Sequence, residues 1–149
     1  IIRERSYSDS ATPSANGIAV ANLVRLFLHT ETLDYWERAN KALKAFKLVL
    51  SQAPQACPGL FAALDWCDRP ITVKFPNRPS SDRQSSKHQG DMATFAQKSI
   101  QSDNYAPTAI FKGVADLPDE AVGLICRSMS CGEPLFNLEA LNKQLRVIY

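Results

Sequence analysis

Around Asp68-Arg69-Pro70 the spacing of the apolar residues changes, and one regular element cannot run through such a change. Before it, Ile18, Ala21, Val24 and Leu28, flanked by Val20, Leu23 and Phe27, recur at three- and four-residue steps. Tyr35, Ala39, Ala42, Leu43, Phe46, Val49 and Leu50 do the same, and Leu60, Phe61, Leu64 and Trp66 form a shorter set. That is the period of an amphipathic helix. After it, Ile71-Thr72-Val73-Lys74-Phe75 is a β-branched and aromatic run of strand type. The expected fold class is therefore α+β, with a helical hairpin segment over 1–70 and a small three-stranded α/β unit over 71–149.

In the first segment Ser14 stands where an N-cap is needed, since its hydroxyl can accept from an otherwise unpaired first-turn amide. The helix it opens, ending near His29-Thr30, carries so broad an apolar face that it is expected to be almost wholly buried. Thr30-Glu31-Thr32-Leu33-Asp34 makes a short turn, and a second helix runs to Ala53-Pro54. So short a connection favours an antiparallel hairpin. Lys41, Lys44 and Lys47 lie off its apolar stripe and read as a solvated face. Pro58 suits the first turn of a third helix, which Asp68-Arg69-Pro70 ends. One and a half hairpins supply more apolar face than they can cover, as in a helical array that lacks its neighbours.

In the second segment the stretch 76–90 is rich in Pro, Ser, Asn, Asp and Gln and reads as a flexible linker. Asp91 is placed to cap a helix through Met92, Phe95, Ala96 and Ile100. Strands are expected over Thr108 to Val114 and Ala121 to Cys126, and Asn137 to cap a last helix with Leu138, Leu141, Leu145 and Ile148 on one stripe. Any parallel crossover in this unit should be right-handed.

Seventeen Lys and Arg stand against 15 Asp and Glu, a formal net charge of +2. So balanced a surface points neither to nucleic acid nor to an anionic membrane. The apolar stretch around Val20 to Leu28 is broken by Asn22 and Arg25 and is too short to span a bilayer. Ile1-Ile2-Arg3-Glu4-Arg5 has neither an initiator Met nor a presequence pattern, so the chain is expected to be a processed or partial product of a longer polypeptide. Four cysteines are too few for a disulfide scaffold at this length, which favours a reducing compartment, cytoplasm or organelle interior, for a soluble chain. Cys57 and Cys67 read as buried small hydrophobes.

Chemistry is sparse. Cys126 and Cys131 sit five apart at the end of a strand, and three readings stay open: structural thiols in a turn, a conditional disulfide acting as a redox pair, or metal and catalysis. Zinc would need two more ligands, which only His29 and His88 could offer. Asp9, Ser14 and Asn16 place a carboxylate, a hydroxyl and an amide before the first helix, either as cap and turn or as the polar lining of a ligand cavity. Asp9 and Asp65 are candidates for a carboxylate pair of the kind sugar chemistry needs, although Asp65 also suits capping or pairing at a helix end. The six glycines are dispersed, without the spacing of a phosphate cradle. No catalytic residue, metal ligand or cofactor is assigned.

The run Asp9 to Asn16, the following Leu23-Val24-Arg25-Leu26, then Ala63-Leu64-Asp65, and finally Cys126-Arg127 with Cys131 and Pro134 resemble, in order, the C-terminal portion of thioredoxin-domain-containing proteins related to spermatogenesis-associated protein 20. The resemblance covers most of the chain outside 76–90. It implies an N-terminal thioredoxin-like domain, an α/α toroid similar to sugar epimerases and six-hairpin glycosidases, and a small C-terminal α/β unit. This chain would hold only the end of the toroid and that last unit, so the family's presumed redox centre transfers to no residue here. From the toroid pocket only Asp9, Ser14 and Asn16 have matching positions.

The leading expectation is thus a non-catalytic interaction or structural module, a truncated family tail whose partners are other protein subunits or the missing part of its own polypeptide. Any catalysis is left to the full-length family. The alternatives are a fragment of a sugar-binding or sugar-processing enzyme using Asp9, Ser14 and Asn16, and thiol-disulfide exchange through Cys126 and Cys131.

Overall fold

A computed structural model describes residues 6–76, 108–118 and 120–146 of the chain. The fold is mixed α+β, and it divides into two compact units, Ile1–Pro70 and Ile71–Tyr149.

The first unit holds α1 (Ala15–Thr30), α2 (Leu33–Ala45), α3 (Lys47–Gln52), a 3-10 turn (Pro54–Ala56) and α4 (Pro58–Asp68). Helix α1 starts where Ser14, in extended conformation, accepts from the Gly17 amide at 3.2 Å. It stops at Glu31, whose left-handed backbone (φ 59°) turns its amide back onto the Phe27 carbonyl at 2.7 Å. Pro58 fills the first position of α4, where its missing amide costs nothing. The second expected helix is broken into α2 and α3. At Phe46 the amide is shared between the carbonyls of Ala42 (3.2 Å) and Leu43 (3.1 Å), a tightened turn after which the helix restarts.

Helix α1 packs on both α2 and α4. Phe27 near the end of α1 meets Trp36 near the start of α2, ring centroids 5.3 Å apart, across the short connection of an antiparallel hairpin. Helix α4 instead runs parallel to α1: Gly17 lies against Gly59, and eight residues on, Arg25 lies over the ring of Trp66 at 4.7 Å. Up, down, up, with the first and third helices side by side, is the order of stacked helix pairs. Val20, Val24, Phe27, Leu28, Ala39, Leu43, Leu60, Ala63 and Trp66 are buried.

The burial expected of α1 is too generous. Ile18 and Leu26 keep 49% and 43% of their surface exposed, and on α4 Phe61 and Leu64 keep 38% and 39%. Two neighbours can cover only the sides of α1 that face them, which take Gly17, Val20, Val24, Phe27 and Leu28.

Among its described residues the second unit has a four-stranded sheet where three strands were expected, in the order β2-β1-β3-β4, with β1 (Ile71–Pro76), β2 (Ala109–Val114), β3 (Leu124–Arg127) and β4 (Ser130–Cys131). Strand β1 is central, parallel to β2 and antiparallel to β3. The additional strand β4 is two residues long, below the length at which alternation shows in a sequence. Helix α5 (Leu138–Arg146) opens where Asn137 Oδ1 accepts from the Ala140 amide at 2.7 Å. Its Leu141 and Leu145 join Ile71, Val73, Phe75 and Ile125 in one core, flanked by Phe111, which stacks on Phe75 at 6.1 Å. The expected linker beyond Pro76, the helix capped by Asp91, the crossover between β1 and β2, His88 and Ile148 lie outside the described residues.

Candidate functional site

Asp9 sits at the meeting point of two helix starts. Its own amide donates to the Ala56 carbonyl at 2.8 Å, which anchors the opening loop beside the 3-10 turn. One carboxylate oxygen then accepts from the backbone amide of Ser14, at the head of α1, and the other from that of Gly59, in the first turn of α4. Helix starts leave amides unpaired and carry partial positive charge, so one anion serves both. The amides of Gly59 and then Ser14 hold the Asp9 carboxyl below the usual carboxylate range.

The other two residues of this loop are also engaged. Ser14 is buried and spends its oxygen on the Gly17 amide, while Asn16 Nδ2 donates to the Ser6 carbonyl at 2.7 Å. The structure brings Asp9 and Ser14 together through a backbone amide, and Asn16 bonds to a different stretch of the loop. Asp65, the other candidate carboxylate, accepts from Arg69 Nε at 2.9 Å one turn along α4 and forms an ion pair with it. These are the bonds of a cap and a helix clamp.

What sequence reading missed here is the pair of glycines. A β-carbon on Gly17 would fall 2.7 Å from the Gly59 carbonyl carbon, and one on Gly59 would fall 3.1 Å from both Asp9 oxygens. The available signal was a glycine inside each helical pattern, which costs about 1 kcal/mol against alanine and so implies a packing reason.

The cysteines divide by unit. Cys126 and Cys131 face each other across β3 and β4 and are joined in a disulfide, their Cα atoms 3.9 Å apart. The Arg127–Ser130 pair and the turn at Ser128-Met129 close the hairpin beyond them. Side chains of an antiparallel pair approach most closely at such a non-hydrogen-bonded position. Cys57 is fully buried as expected, its thiol toward the Ala53 carbonyl at 3.4 Å. Cys67 is only half-buried, and burial pushes its thiol up to about 11.

Among the described residues no group of His, Cys, Asp and Glu is placed to hold a metal ion, and no helix is long and apolar enough to cross a membrane. No family model matches the chain. Over 142 residues it is 29% identical to an uncharacterized protein of Caenorhabditis elegans, B0495.5, an alignment that takes in 91% of this chain and 19% of the worm protein. The chain thus spans less than two thirds of the length of the curated relative it matches. No solved structure matches it.

Proposed function

We propose that this chain is a non-catalytic interaction module, part of a stacked helical layer that other protein completes, in keeping with its resemblance to the tail of an α/α toroid of the spermatogenesis-associated protein 20-like family. The observation that carries this reading is the exposure of Ile18 and Leu26 on α1 and of Phe61 on α4, on helices that otherwise pack closely. Ile18 and Leu26 are eight residues apart and share a face. Each of the three is already more than half covered, so completing its burial is worth about 1 kcal/mol, and a partner helix covering all three would gain about 2–4 kcal/mol. A relative in which the matching stretch is 19% of the whole fits a piece that works inside a larger polypeptide.

A sugar-processing role would need Asp9 to give or take a proton, and the Gly59 and Ser14 amides that hold its carboxyl below the usual range make it a poor acid and a weak base. The interaction reading is favoured for that reason. Size-exclusion chromatography with light scattering tests it on the intact chain, beside the variant Ile18→Ser/Leu26→Ser/Phe61→Ser. Concentration-dependent association, lost in the variant, or binding of an apolar dye, reduced in it, is the expected result. A monodisperse monomer that binds no dye overturns the reading.

A further inference from the structure

A second face of the helical unit carries its own signature. Between α2–α3 and α4 lies a groove of about 510 Å³ lined by Asn40, Leu43, Lys44, Lys47, Leu50, Ser51, Leu64, Cys67 and Asp68. Its floor is leucine and a thiol. Its α2–α3 rim is cationic: Lys44 and Lys47 are exposed and neither takes part in an ion pair among the described residues, while Asp68 stands on the α4 rim. One wall of the groove runs from Asn40 in α2 past the break at Phe46 to Ser51 in α3, and the other is the last turn of α4, from Leu64 to Asp68.

The order of the helices says which way an occupant should run. Helix α1 is antiparallel to α2 and parallel to α4, and in stacked helix pairs the next element lies antiparallel to α4 and beside α2. That place is the groove. Resting on the interaction reading above, we propose that the groove receives an amphipathic helix of a partner protein, antiparallel to α4. Its leucine-rich stripe lies on Leu43, Leu50 and Leu64, and an acidic flank faces Lys44 and Lys47. The stripe supplies the burial, and the flank sets orientation and partner choice, since like charge opposite the two lysines would be penalised.

The test uses two fluorescein-labelled amphipathic peptides of about 18 residues with one leucine stripe, flanked by Glu in one and by Lys in the other. With the intact chain at low salt, anisotropy should show the Glu peptide binding at least about tenfold more tightly. The charge swap Lys44→Glu/Lys47→Glu, at exposed positions outside the core, should reverse the order. Bound Glu peptide should also slow iodoacetamide modification of Cys67 at pH 9. Equal affinities, no binding, an order that survives the swap, or binding that leaves Cys67 as reactive as before would overturn the proposal. The charge swap leaves Ile18, Leu26 and Phe61 in place, so association through those side chains should persist in it. Failure here and failure of the broader reading are therefore separate results.

Discussion

Gly17 and Gly59 meet backbone to backbone, so closely that a β-carbon on Gly17 would lie 2.7 Å from the carbonyl carbon of Gly59. Forty-two positions separate them in sequence, and this contact sets how near α1 and α4 can come. The carboxylate of Asp9 is held against the same spot, bound to the Gly59 amide.

Gly17→Ala should therefore destabilise the helical unit, although alanine is the better helix former by about 1 kcal/mol. The neighbour to be displaced is backbone, which cannot rotate away, and overpacking of this kind costs about 1–3 kcal/mol. Urea unfolding followed by circular dichroism should show a lower midpoint with an unchanged slope. A midpoint at or above that of the parent chain would refute the close-contact account.

Asp9 should make the fold acid-sensitive. Its carboxyl titrates below its ordinary value because the Gly59 and Ser14 amides favour the anion. A depressed folded-state value means the stabilisation is complete above the unfolded value, about 3.9, and is lost as the pH falls through the lowered one. Asp9→Asn should be less stable than the parent at pH 6, since an amide can offer an acceptor to only one of the two donors. By pH 3 the gap between their melting temperatures should narrow, and a gap constant from pH 6 to pH 3 would contradict the clamp.

Reduction should loosen the β3–β4 hairpin. A cross-link closing so short a loop is worth about 2 kcal/mol in the chain-entropy account. Melting with and without reductant should differ by a few degrees in the parent chain, and the variant Cys126→Ala/Cys131→Ala should melt identically in both. A parent chain indifferent to reductant would show that the hairpin holds without its bond.

Cys67 should alkylate slowly despite being reachable. With its thiol pushed up to about 11 by burial, its thiolate fraction at pH 8 is roughly two orders of magnitude below that of a free cysteine titrating near 8.5. Its modification rate should therefore keep climbing between pH 8 and pH 10, where a free thiol levels off. A plateau by pH 9 would place the thiol in a more solvated setting than the groove.

Helix existence, strand type and the change of character at Pro70 are legible in the residues because they rest on short-range causes. Ser14 caps α1, Pro58 opens α4 and Asn137 caps α5 through contacts within three or four positions, and the apolar period follows the helix repeat. The sequence marks Asp9 as a polar group beside a helix, but its second partner, Gly59, is fifty residues away. No local pattern carries that pairing. The exposure of Ile18, Leu26 and Phe61, the placing of β4 and the groove between α2–α3 and α4 likewise depend on where distant elements settle. A side chain's period says that it can be buried, and only the neighbours that reach it decide whether it is.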